Sequence, residues 1–363
     1  MKSLHAQVGQ LLIMGFDGSD VSPGLRQMLT MLQPGGVILF ARNILDARQT
    51  WELLHDCGEI VETPMFLCVD MEGGTVDRLK NAIAPAPSVE AVARTEDKKI
   101  LRSHGRLIGE EVRALGFNTD FAPVLDLSFA ASRSVLTSRT VSDDPKQALI
   151  YAREFLKGLT AAHVLGCGKH FPGLGEGNFD SHEMLPVIAK SWKRLWAEDL
   201  YPYRMLRRQM PFVMVAHAAY PAVTKSSIPA SLSKKWITEV LRRKIGYRGL
   251  VISDDLEMGG VQASAPIDEA AVETLRAGAD MFLVCHNEGH VWRTYEAVVR
   301  AAEPDPKFAR KVATAAGRVL DFKKKMKNLL KTSAAPPSPQ TVGKLRDRMQ
   351  RFADRVQKRV VVL

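Results

Sequence analysis

The segment KHFPGLGEGNFDSHEMLP, residues 169–186, gathers side chains that can donate, accept or carry a proton. Lys169 and His170 begin it, and Asp180 and His182 follow after three glycines. Because the imidazole pKa is about 6.5, a His can give a proton and then take one from water near neutral pH. In an extended segment Asp180 and His182 share a side, so the carboxylate can hold one ring nitrogen and set the tautomer. A bare Asp-x-His also occurs in surface loops, but its charged neighbours favour acid and base chemistry.

Charged side chains also follow short apolar runs elsewhere in the chain. Asp70 ends MFLCVD, Asp126 follows FAPVL, His217 lies in VMVAHA, and Asp254 and Asp255 end LVISDD. A single Asp of this kind often caps a helix, but capping hardly explains so many strand ends. An ionised Asp at the end of a buried strand can attack the anomeric carbon of a sugar if a second group protonates the departing oxygen. On a strand, Asp255 points away from Asp254, so we interpret Asp255 as structural.

Several other chemistries are disfavoured by missing motifs. The chain has no GxSxG elbow and no Cys beside a plausible base, so acyl transfer is disfavoured. It has no Rossmann GxGxxG and no P-loop, so a phosphate cradle in the glycine-rich segment is improbable. Without CxxC pairs or HExxH, neither a disulfide framework nor a zinc site is indicated. We therefore expect no cofactor and no metal.

The elements that must position these groups alternate along the first 290 residues. Short runs rich in Val, Ile, Leu and Phe alternate with amphipathic helical patterns, and the eight candidate strands are LLIMGF, GGVILF, MFLCVD, NTDFAPV, VLGCGKHF, FVMVAHA, GLVISDD and DMFLVC. Apolar strands separated by helices predict a parallel sheet covered by helices. Eight such units favour a (β/α)8 barrel over an open doubly wound sheet, and in a barrel all the carboxyl ends of the strands meet at one face.

Two of the intervening helices have clear end signals. In DDPKQALIYAREFLKGL, Pro145 follows Asp143 and Asp144, as is typical of a helix start. The segment SKKWITEVLRRKIG predicts a second helix, from the N-cap candidate Ser233 to Gly246.

Composition excludes several classes of protein. The chain has 363 residues, of which 46% are hydrophobic and 25% charged, and this profile excludes a disordered chain. No apolar run reaches the roughly 18 residues of a membrane helix, and polar residues interrupt the amino end where a signal peptide would be apolar. We expect a cytoplasmic protein without a membrane span. We interpret the separated cysteines as small buried side chains, namely Cys57, Cys68, Cys167 and Cys285.

The net charge of +10 belongs to the carboxyl-terminal part. Val291 to Leu363 contains 18 Lys or Arg against 6 Asp or Glu, whereas the preceding 290 residues contain 32 against 34. We predict a catalytic domain over residues 1–332, a Pro-rich linker over 333–340 and a basic amphipathic helical tail over 341–363. The tail either packs on the barrel or contacts an acidic partner, nucleic acid or a membrane surface. Since no nucleic-acid-binding motif is present, we expect no nucleic-acid partner.

Several ordered blocks carry a resemblance to a known family. KHFPGLGEGNFDSHEMLPVI is similar to the KHFPGHG…DSH…LP signature of glycoside hydrolase family 3, in its bacterial β-N-acetylglucosaminidase branch. QPGGVILFARNI, VDMEGGTVDRL, FAPVLDL, SRTVSDDP, the long block ending in GLVISDDLEM, and AGADMFLVC resemble further blocks of that family in the same order. The resemblance covers roughly residues 11–286.

The resemblance implies a retaining exo-β-N-acetylglucosaminidase that acts on cell-wall muropeptides or related GlcNAc-containing glycans. It implies that Asp254 is the nucleophile and that His182, oriented by Asp180, is the general acid and base. It also implies that five residues bind the sugar: Asp70, Arg78, Arg139, Lys169 and His170.

Two positions depart from the family pattern, and alternatives stay open. Leu174 stands where the signature has a second His, and Thr75 stands where an Arg is common after EGG. These two departures affect the choice of substrate more than the type of reaction. The alternatives within the family are a β-N-acetylglucosaminide phosphorylase and a β-glucosidase. A barrel without activity that binds sugar or acts as a scaffold is an alternative of another class.

Overall fold

Parallel strands form a closed barrel in this chain. The computed structural model describes residues 3–177, 181, 184–331 and 334–361. The eight barrel strands are β1 (Leu12–Met14), β2 (Gly36–Leu39), β3 (Phe66–Val69), β6 (Thr119–Asp120), β7 (Leu165–Phe171), β8 (Phe212–Val215), β9 (Leu250–Asp255) and β10 (Met281–Val284). Because β10 pairs with β1, the ring is closed. An antiparallel hairpin of β4 (Met71–Gly73) and β5 (Val76–Asp77) follows β3.

Helices surround the barrel. The α-helices are α1 (Leu4–Gly9), α2 (Pro23–Leu32), α3 (Ala47–Ile60), α4 (Val89–Ala93), α5 (Lys98–Ala114), α6 (Arg133–Leu136), α7 (Pro145–Ala161), α8 (Trp192–Ala197), α9 (Leu200–Leu206), α10 (Pro221–Thr224), α11 (Gly259–Gln262), α12 (Ile267–Ala277), α13 (Glu288–Ala302), α14 (Pro306–Lys325), α15 (Lys327–Leu330) and α16 (Pro339–Val361). Short 3-10 helices lie at Ala41–Asn43, Ala130–Ser132, Thr137–Arg139 and Ala230–Leu232, and a π-helix at Lys235–Ile245. Each barrel strand lies inside one of the apolar runs of the sequence, so the prediction of a (β/α)8 barrel is confirmed.

Helix α7 forms as the sequence predicts. The Asp144 carboxylate accepts a hydrogen bond from the Lys146 backbone N–H at 2.8 Å, and Pro145 occupies the first helical position. Its buried face includes Tyr151 and Phe155. Removing a side chain of this size from water contributes about 1.5–3 kcal/mol.

The helix predicted over residues 233–246 forms, and it is a π-helix. Lys235–Ile245 is π-helical, follows Lys234 rather than Ser233, and ends at Gly246 with a φ of +79°. The buried side chains Trp236, Leu241 and Ile245 recur at four- and five-residue spacing. That spacing fits the wider π-helical turn, with its i to i+5 hydrogen bonds, as well as it fits an α-helix. An apolar stripe therefore does not separate the two.

Aromatic side chains fill the amino-terminal end of the barrel. Phe66 and Phe212 begin β3 and β8, which are not neighbours, and their rings meet edge to face with centroids 5.0 Å apart. Phe322 of α14 lies 6.1 Å from the Phe66 ring and 5.7 Å from the Phe212 ring. Next to it, the buried Lys323 ammonium donates to the Gln10 side chain at 2.8 Å. Helix α14 therefore closes this end of the barrel.

Helix α16 packs on the outside of the barrel against α4 and α5. Its apolar stripe is buried and consists of Leu345, Met349, Phe352 and Val356. The Phe352 ring stacks on His104 with centroids 5.8 Å apart, and Arg348 forms an ion pair with Glu110 at 2.6 Å. The helix starts at Pro339, inside the range 333–340 predicted as a linker. Throughout the part of the chain that the structure describes, no helix combines the length and apolarity needed to cross a membrane.

Candidate active site

A cavity of about 170 Å³ opens at the carboxyl ends of the barrel strands. The predicted site residues that line it are Asp70, Arg78, Arg139, Lys169, His170 and Asp254. They come from β7, from the end of β9, and from the segments that follow β3 and α6. Residues almost 190 positions apart in sequence thus face one space, as expected for a barrel.

One wall of the cavity is a network of buried and partly buried charges centred on Glu72. The Lys169 ammonium lies 2.6 Å from an Asp70 oxygen and 2.7 Å from a Glu72 oxygen. The Arg139 guanidinium donates two hydrogen bonds to the Glu72 carboxylate, both at 2.9 Å. Hairpin β4–β5 holds Glu72, which is only 1% exposed. Because these ion pairs leave Lys169 and Arg139 few alternative positions, both cations are fixed at the cavity wall.

Glu72, Lys169 and Arg139 stabilise one another's charged forms in this network. Burial opposes the charge on Glu72, but Arg139 and Lys169 outweigh it and hold the pKa of that carboxyl well below its usual range. Burial likewise opposes the charge on Lys169, and the carboxylates of Asp70 and Glu72 raise the pKa of that ammonium. The pKa of Arg139 is raised in the same way against its burial, mainly by Glu72. The two cations and two carboxylates therefore balance.

Asp120, behind this wall, is a contrasting buried acid. One of its oxygens accepts a hydrogen bond from the Met71 backbone N–H at 2.9 Å, and the other has no hydrogen-bond partner among the described residues. Burial raises the pKa of Asp120 well above its ordinary value. Burial therefore favours the neutral form of Asp120, in contrast to its charged neighbours.

His170 is oriented by Asp126. The His170 Nδ1 atom lies 2.6 Å from an Asp126 oxygen, and the other Asp126 oxygen accepts the Leu174 backbone N–H at 2.8 Å. His170 is 6% exposed and Asp126 is 1% exposed. Asp126 thus fixes both the imidazole ring and the first turn of the glycine-rich segment.

Asp254 is at the cavity, and His217 supports the strand end behind it. The Asp254 carboxylate accepts the Asp255 backbone N–H at 2.9 Å. The His217 Nε2 atom lies 2.9 Å from the Asp255 carbonyl oxygen, so Nε2 carries the hydrogen, and Nδ1 accepts from the Ser231 hydroxyl at 2.7 Å. Burial lowers the pKa of His217. This neutral ring positions the end of β9. It is not one of the residues that line the cavity.

Asp255 also reaches the cavity wall, beside a group of side chains that could hold a cation. Ligand atoms of Asp255, Glu257 and His286 lie within 4.8 Å of one another. The Glu257 oxygens already accept the backbone N–H groups of Cys285 at 2.9 Å and Asn287 at 3.0 Å. The hydrogen bond to Asp255 raises the pKa of His286, against its partial burial. These bonds explain why the three side chains lie together, because they stabilise the loop after β10.

The glycine-rich segment is held firmly at its start. Gly173 has a φ of +131°, and a Cβ atom there would lie 2.7 Å from the Cβ of Asp199. The Tyr220 hydroxyl donates to the Gly173 carbonyl at 2.7 Å, and the Lys190 ammonium pairs with Asp199 at 2.6 Å. Burial raises the pKa of Asp199 to about 6 even with Lys190 beside it. Predicted Asp180 and His182 lie outside the described residues, while Ser181 between them lines the cavity.

Apolar and aromatic side chains form the rest of the cavity wall. Leu174, which replaces the His of the signature, is 8% exposed and lines the cavity, whereas Thr75 is exposed at the turn between β4 and β5. Phe40 stacks on His286 with centroids 5.2 Å apart. The Arg78 guanidinium lies 5.8 Å from the centre of the Phe40 ring. One side of the cavity therefore combines an aromatic surface with positive charge.

Comparison with known proteins agrees with this arrangement. A family model described as the glycosyl hydrolase family 3 N terminal domain matches residues 3–321. The chain belongs to glycosyl hydrolase family 3. The family 3 enzyme is 37% identical over 279 residues to a beta-hexosaminidase of Pseudomonas aeruginosa, covering 76% of this chain and 82% of the relative. It is 31% identical over 298 residues to a beta-hexosaminidase of Idiomarina loihiensis, covering 81% of this chain and 89% of that protein.

A solved structure extends the likeness over almost the whole family 3 enzyme. It is described as a glycoside hydrolase family 3 beta-N-acetylglucosaminidase from Paenibacillus, with a TM-score of 0.89 and 30% identity. The match covers 97% of this chain and 69% of the Paenibacillus chain.

Sequence reasoning missed Glu72, and it named Asp126 without a role. One signal was available for Glu72: in VDMEGG it stands two residues after Asp70, and such residues share a side on an extended chain. Nothing in the sequence indicates that Glu72 is buried between two cations that follow it by 67 and 97 positions.

Proposed function

We propose that this family 3 enzyme is a retaining exo-β-N-acetylglucosaminidase that removes terminal GlcNAc from muropeptides during cell-wall recycling in the cytoplasm. The observation that carries the proposal is the position of Asp254, which ends a barrel strand in the same cavity as the network of Asp70, Glu72, Arg139 and Lys169. A nucleophile and a set of sugar-binding groups thus face one space. The likeness to proteins described as beta-hexosaminidases favours an N-acetylated sugar.

The reaction proceeds by two displacements. The Asp254 carboxylate attacks the anomeric carbon, the bond to the leaving oxygen breaks, and a covalent glycosyl-enzyme forms. His182, oriented by Asp180, protonates the departing oxygen and later takes a proton from the water that releases the sugar. Ser181, which stands between these two residues in the sequence, lines the cavity, and this supports the assignment.

The buried charge network binds the sugar. Asp70 and Lys169 offer an acceptor and a donor, and Arg139 adds further donors to hydroxyl or acetamido oxygens. Because Glu72 is fully engaged by Lys169 and Arg139, its role is to hold those cations while Asp70 and His170 contact substrate.

The remaining side of the cavity fits an anionic leaving group. Arg78 lines the cavity and forms no ion pair within the described part of the chain, and its Nε atom is buried without a hydrogen-bond partner there. Phe40 beside it offers a flat apolar surface. The peptide of a muropeptide carries carboxylates, which suit this combination.

The decisive experiment compares Asp254→Asn with Asp255→Asn. Asp254→Asn should abolish turnover of an aryl β-GlcNAc and of GlcNAc-anhydromuramyl peptide, and no glycosyl-enzyme should be trapped. The neighbouring Asp255→Asn keeps the oxygen that accepts the Glu257 backbone N–H, so its loss of activity should be smaller. Unchanged activity of Asp254→Asn would sink the assignment.

A phosphorylase is the second candidate. A His as acid and base avoids the repulsion that a second carboxylate would exert on an incoming phosphate. Product analysis with and without phosphate separates the two reactions. Free GlcNAc in both cases supports hydrolysis, whereas a phosphate-dependent sugar 1-phosphate would establish the phosphorylase.

A further inference from the structure

A second cavity, of about 560 Å³, lies at the other end of the barrel and is strongly basic. It is bounded by the π-helix, by the turn before β9, by the end of α12 and by α14. Eight of its lining residues are Lys or Arg, and no described lining residue is Asp or Glu. We call it the basic cleft. Its volume falls in the usual range for small-molecule sites, about 300–1,000 Å³.

Two helices supply most of the cations. On the π-helix side, Lys234, Arg242 and Arg243 line the cleft. On α14, Lys307, Arg310, Lys311 and Arg318 follow each other at spacings of one to seven residues that place them along one helix face. Part of the positive charge in the carboxyl-terminal region therefore converges with charge from the preceding part of the chain.

Some of these cations pair with a carboxylate and form the wall of the basic cleft. Asp280, which is fully buried, pairs with Arg242 through one oxygen and with Arg318 at 2.8 Å through the other. Arg242 also donates to the Gly249 carbonyl at 2.6 Å. These two arginines therefore fix the shape of the cleft instead of adding free charge to it.

Other cations face the cleft without such partners. Among the described residues, the side chains of Arg243, Arg248, Lys307 and Arg310 form no hydrogen bond and no ion pair, and all four are exposed. Lys234 is likewise exposed on the same rim. Glu239 and Asp305, which do not line the cleft, act electrostatically on Arg243 and Lys307. The like charges that line the cleft still outnumber these acids and repel one another, and a bound anion would relieve that repulsion.

We propose that the basic cleft binds a small anion bearing several phosphate groups, at a site separate from the catalytic cavity. Guanidinium forks match phosphate oxygens, and the floor supplied by Leu275 and Ala315 encloses the ligand on one side. The concave shape suits a compact ligand better than a flat membrane. Among the described lining residues Tyr247 alone is aromatic, and its ring is fully buried, so these residues offer no exposed platform on which nucleic-acid bases could stack.

The test is a calorimetric titration of the whole protein with tripolyphosphate. We expect saturable 1:1 binding that weakens as salt rises, because screening acts on exposed charges. Arg243→Gln and Arg310→Gln should each weaken binding roughly ten-fold or more, since each removes charge-assisted hydrogen bonds. Both side chains lack partners, so we expect the variants to fold, as circular dichroism and thermal melts will show.

The matched control is Arg355→Gln on α16, which removes an exposed Arg from another basic groove that also contains Asp97 and Asp354. Its affinity for tripolyphosphate should equal that of the unchanged protein. Hydrolysis of an aryl β-GlcNAc should continue in saturating tripolyphosphate.

Several results would overturn the proposal. The first is the absence of saturable tripolyphosphate binding at low salt. The second is an equal loss of tripolyphosphate affinity in Arg355→Gln and Arg310→Gln. The third is competition between tripolyphosphate and the sugar substrate. Tighter, chain-length-dependent binding of a single-stranded oligonucleotide would assign the cleft to nucleic acid instead.

Discussion

Replacing Glu72 by Gln tests whether a buried carboxylate holds the cations of the catalytic cavity. Glu72 is 1% exposed and accepts hydrogen bonds from Arg139 at 2.9 Å and Lys169 at 2.7 Å. The amide keeps the shape of the side chain but removes its charge, so Arg139 loses its paired carboxylate and Lys169 keeps only Asp70, at 2.6 Å. Breaking a buried ion pair in this way costs about 3–5 kcal/mol, and we expect a loss of that order in the free energy of unfolding.

Asp120→Asn is the matched control for Glu72→Gln. Both changes turn a buried carboxyl into an amide in the same region, but the cations lower the pKa of Glu72 whereas burial raises the pKa of Asp120. The Asn variant keeps an oxygen for the Met71 backbone N–H. Its free energy of unfolding at pH 7 should therefore change much less than that of the Gln variant.

The pH dependence gives the sign of the effect. Because the pKa of Glu72 is lowered on folding, its contribution is fully present above its ordinary pKa of 4.5 and is lost as the pH falls below that value. The stability difference between the unchanged protein and Glu72→Gln should thus shrink in acid. The pKa of Asp120 is raised, so its own contribution is present below its ordinary value of 3.8 and is lost as the pH rises.

Urea denaturation followed by circular dichroism measures stability, and kcat/KM on an aryl β-GlcNAc measures the site. We expect Glu72→Gln to lower kcat/KM about a hundred-fold, because displaced Lys169 and Arg139 misplace the sugar. Equal destabilisation by Glu72→Gln and Asp120→Asn would refute the reasoning, as would a Glu72→Gln variant of unchanged stability at pH 7.

Two further predictions concern the outside of the barrel and its cysteines. Phe352→Ala removes a buried ring that stacks on His104, so we expect a loss of about 3–5 kcal/mol in the free energy of unfolding. The control is Gln357→Ala, which changes an exposed residue of the same helix, and a similar loss in both variants would contradict the docking of α16. All four cysteines are buried and free, and burial raises the pKa of the Cys57 thiol to about 12. Ellman's reagent should therefore label no cysteine in the native protein at pH 8 and all four after unfolding. Rapid labelling of the native protein would contradict this burial.

The barrel could be predicted from sequence because its strands are short apolar runs with helical patterns between them. The charged residues at the ends of those runs then had to share one face. The same reasoning identifies Lys169 and Asp254 as site residues, although their roles stay predictions. The type of the helix at Lys235–Ile245 could not be predicted, since its apolar spacing suits two kinds of helix.

Long-range charge pairing was beyond sequence reasoning. Glu72 and Asp120 are both buried acids, yet the pKa of Glu72 is lowered and the pKa of Asp120 is raised. The difference depends on where Arg139 and Lys169 lie in three dimensions. The basic cleft is similar, because Arg243 and Arg310 converge only after the π-helix and α14 have packed. In each case the deciding neighbours are tens of residues away along the chain.

The pairing of β1 with β10 has a consequence for synthesis of the protein. Leu12 lies beside Phe282, so the ring cannot close until about 270 further residues have been made. At roughly 5–20 residues per second, the nascent chain spends tens of seconds as an open sheet with two unpaired edges. Such edges recruit other strands, so chains that stop before Met281 should aggregate or depend on chaperones.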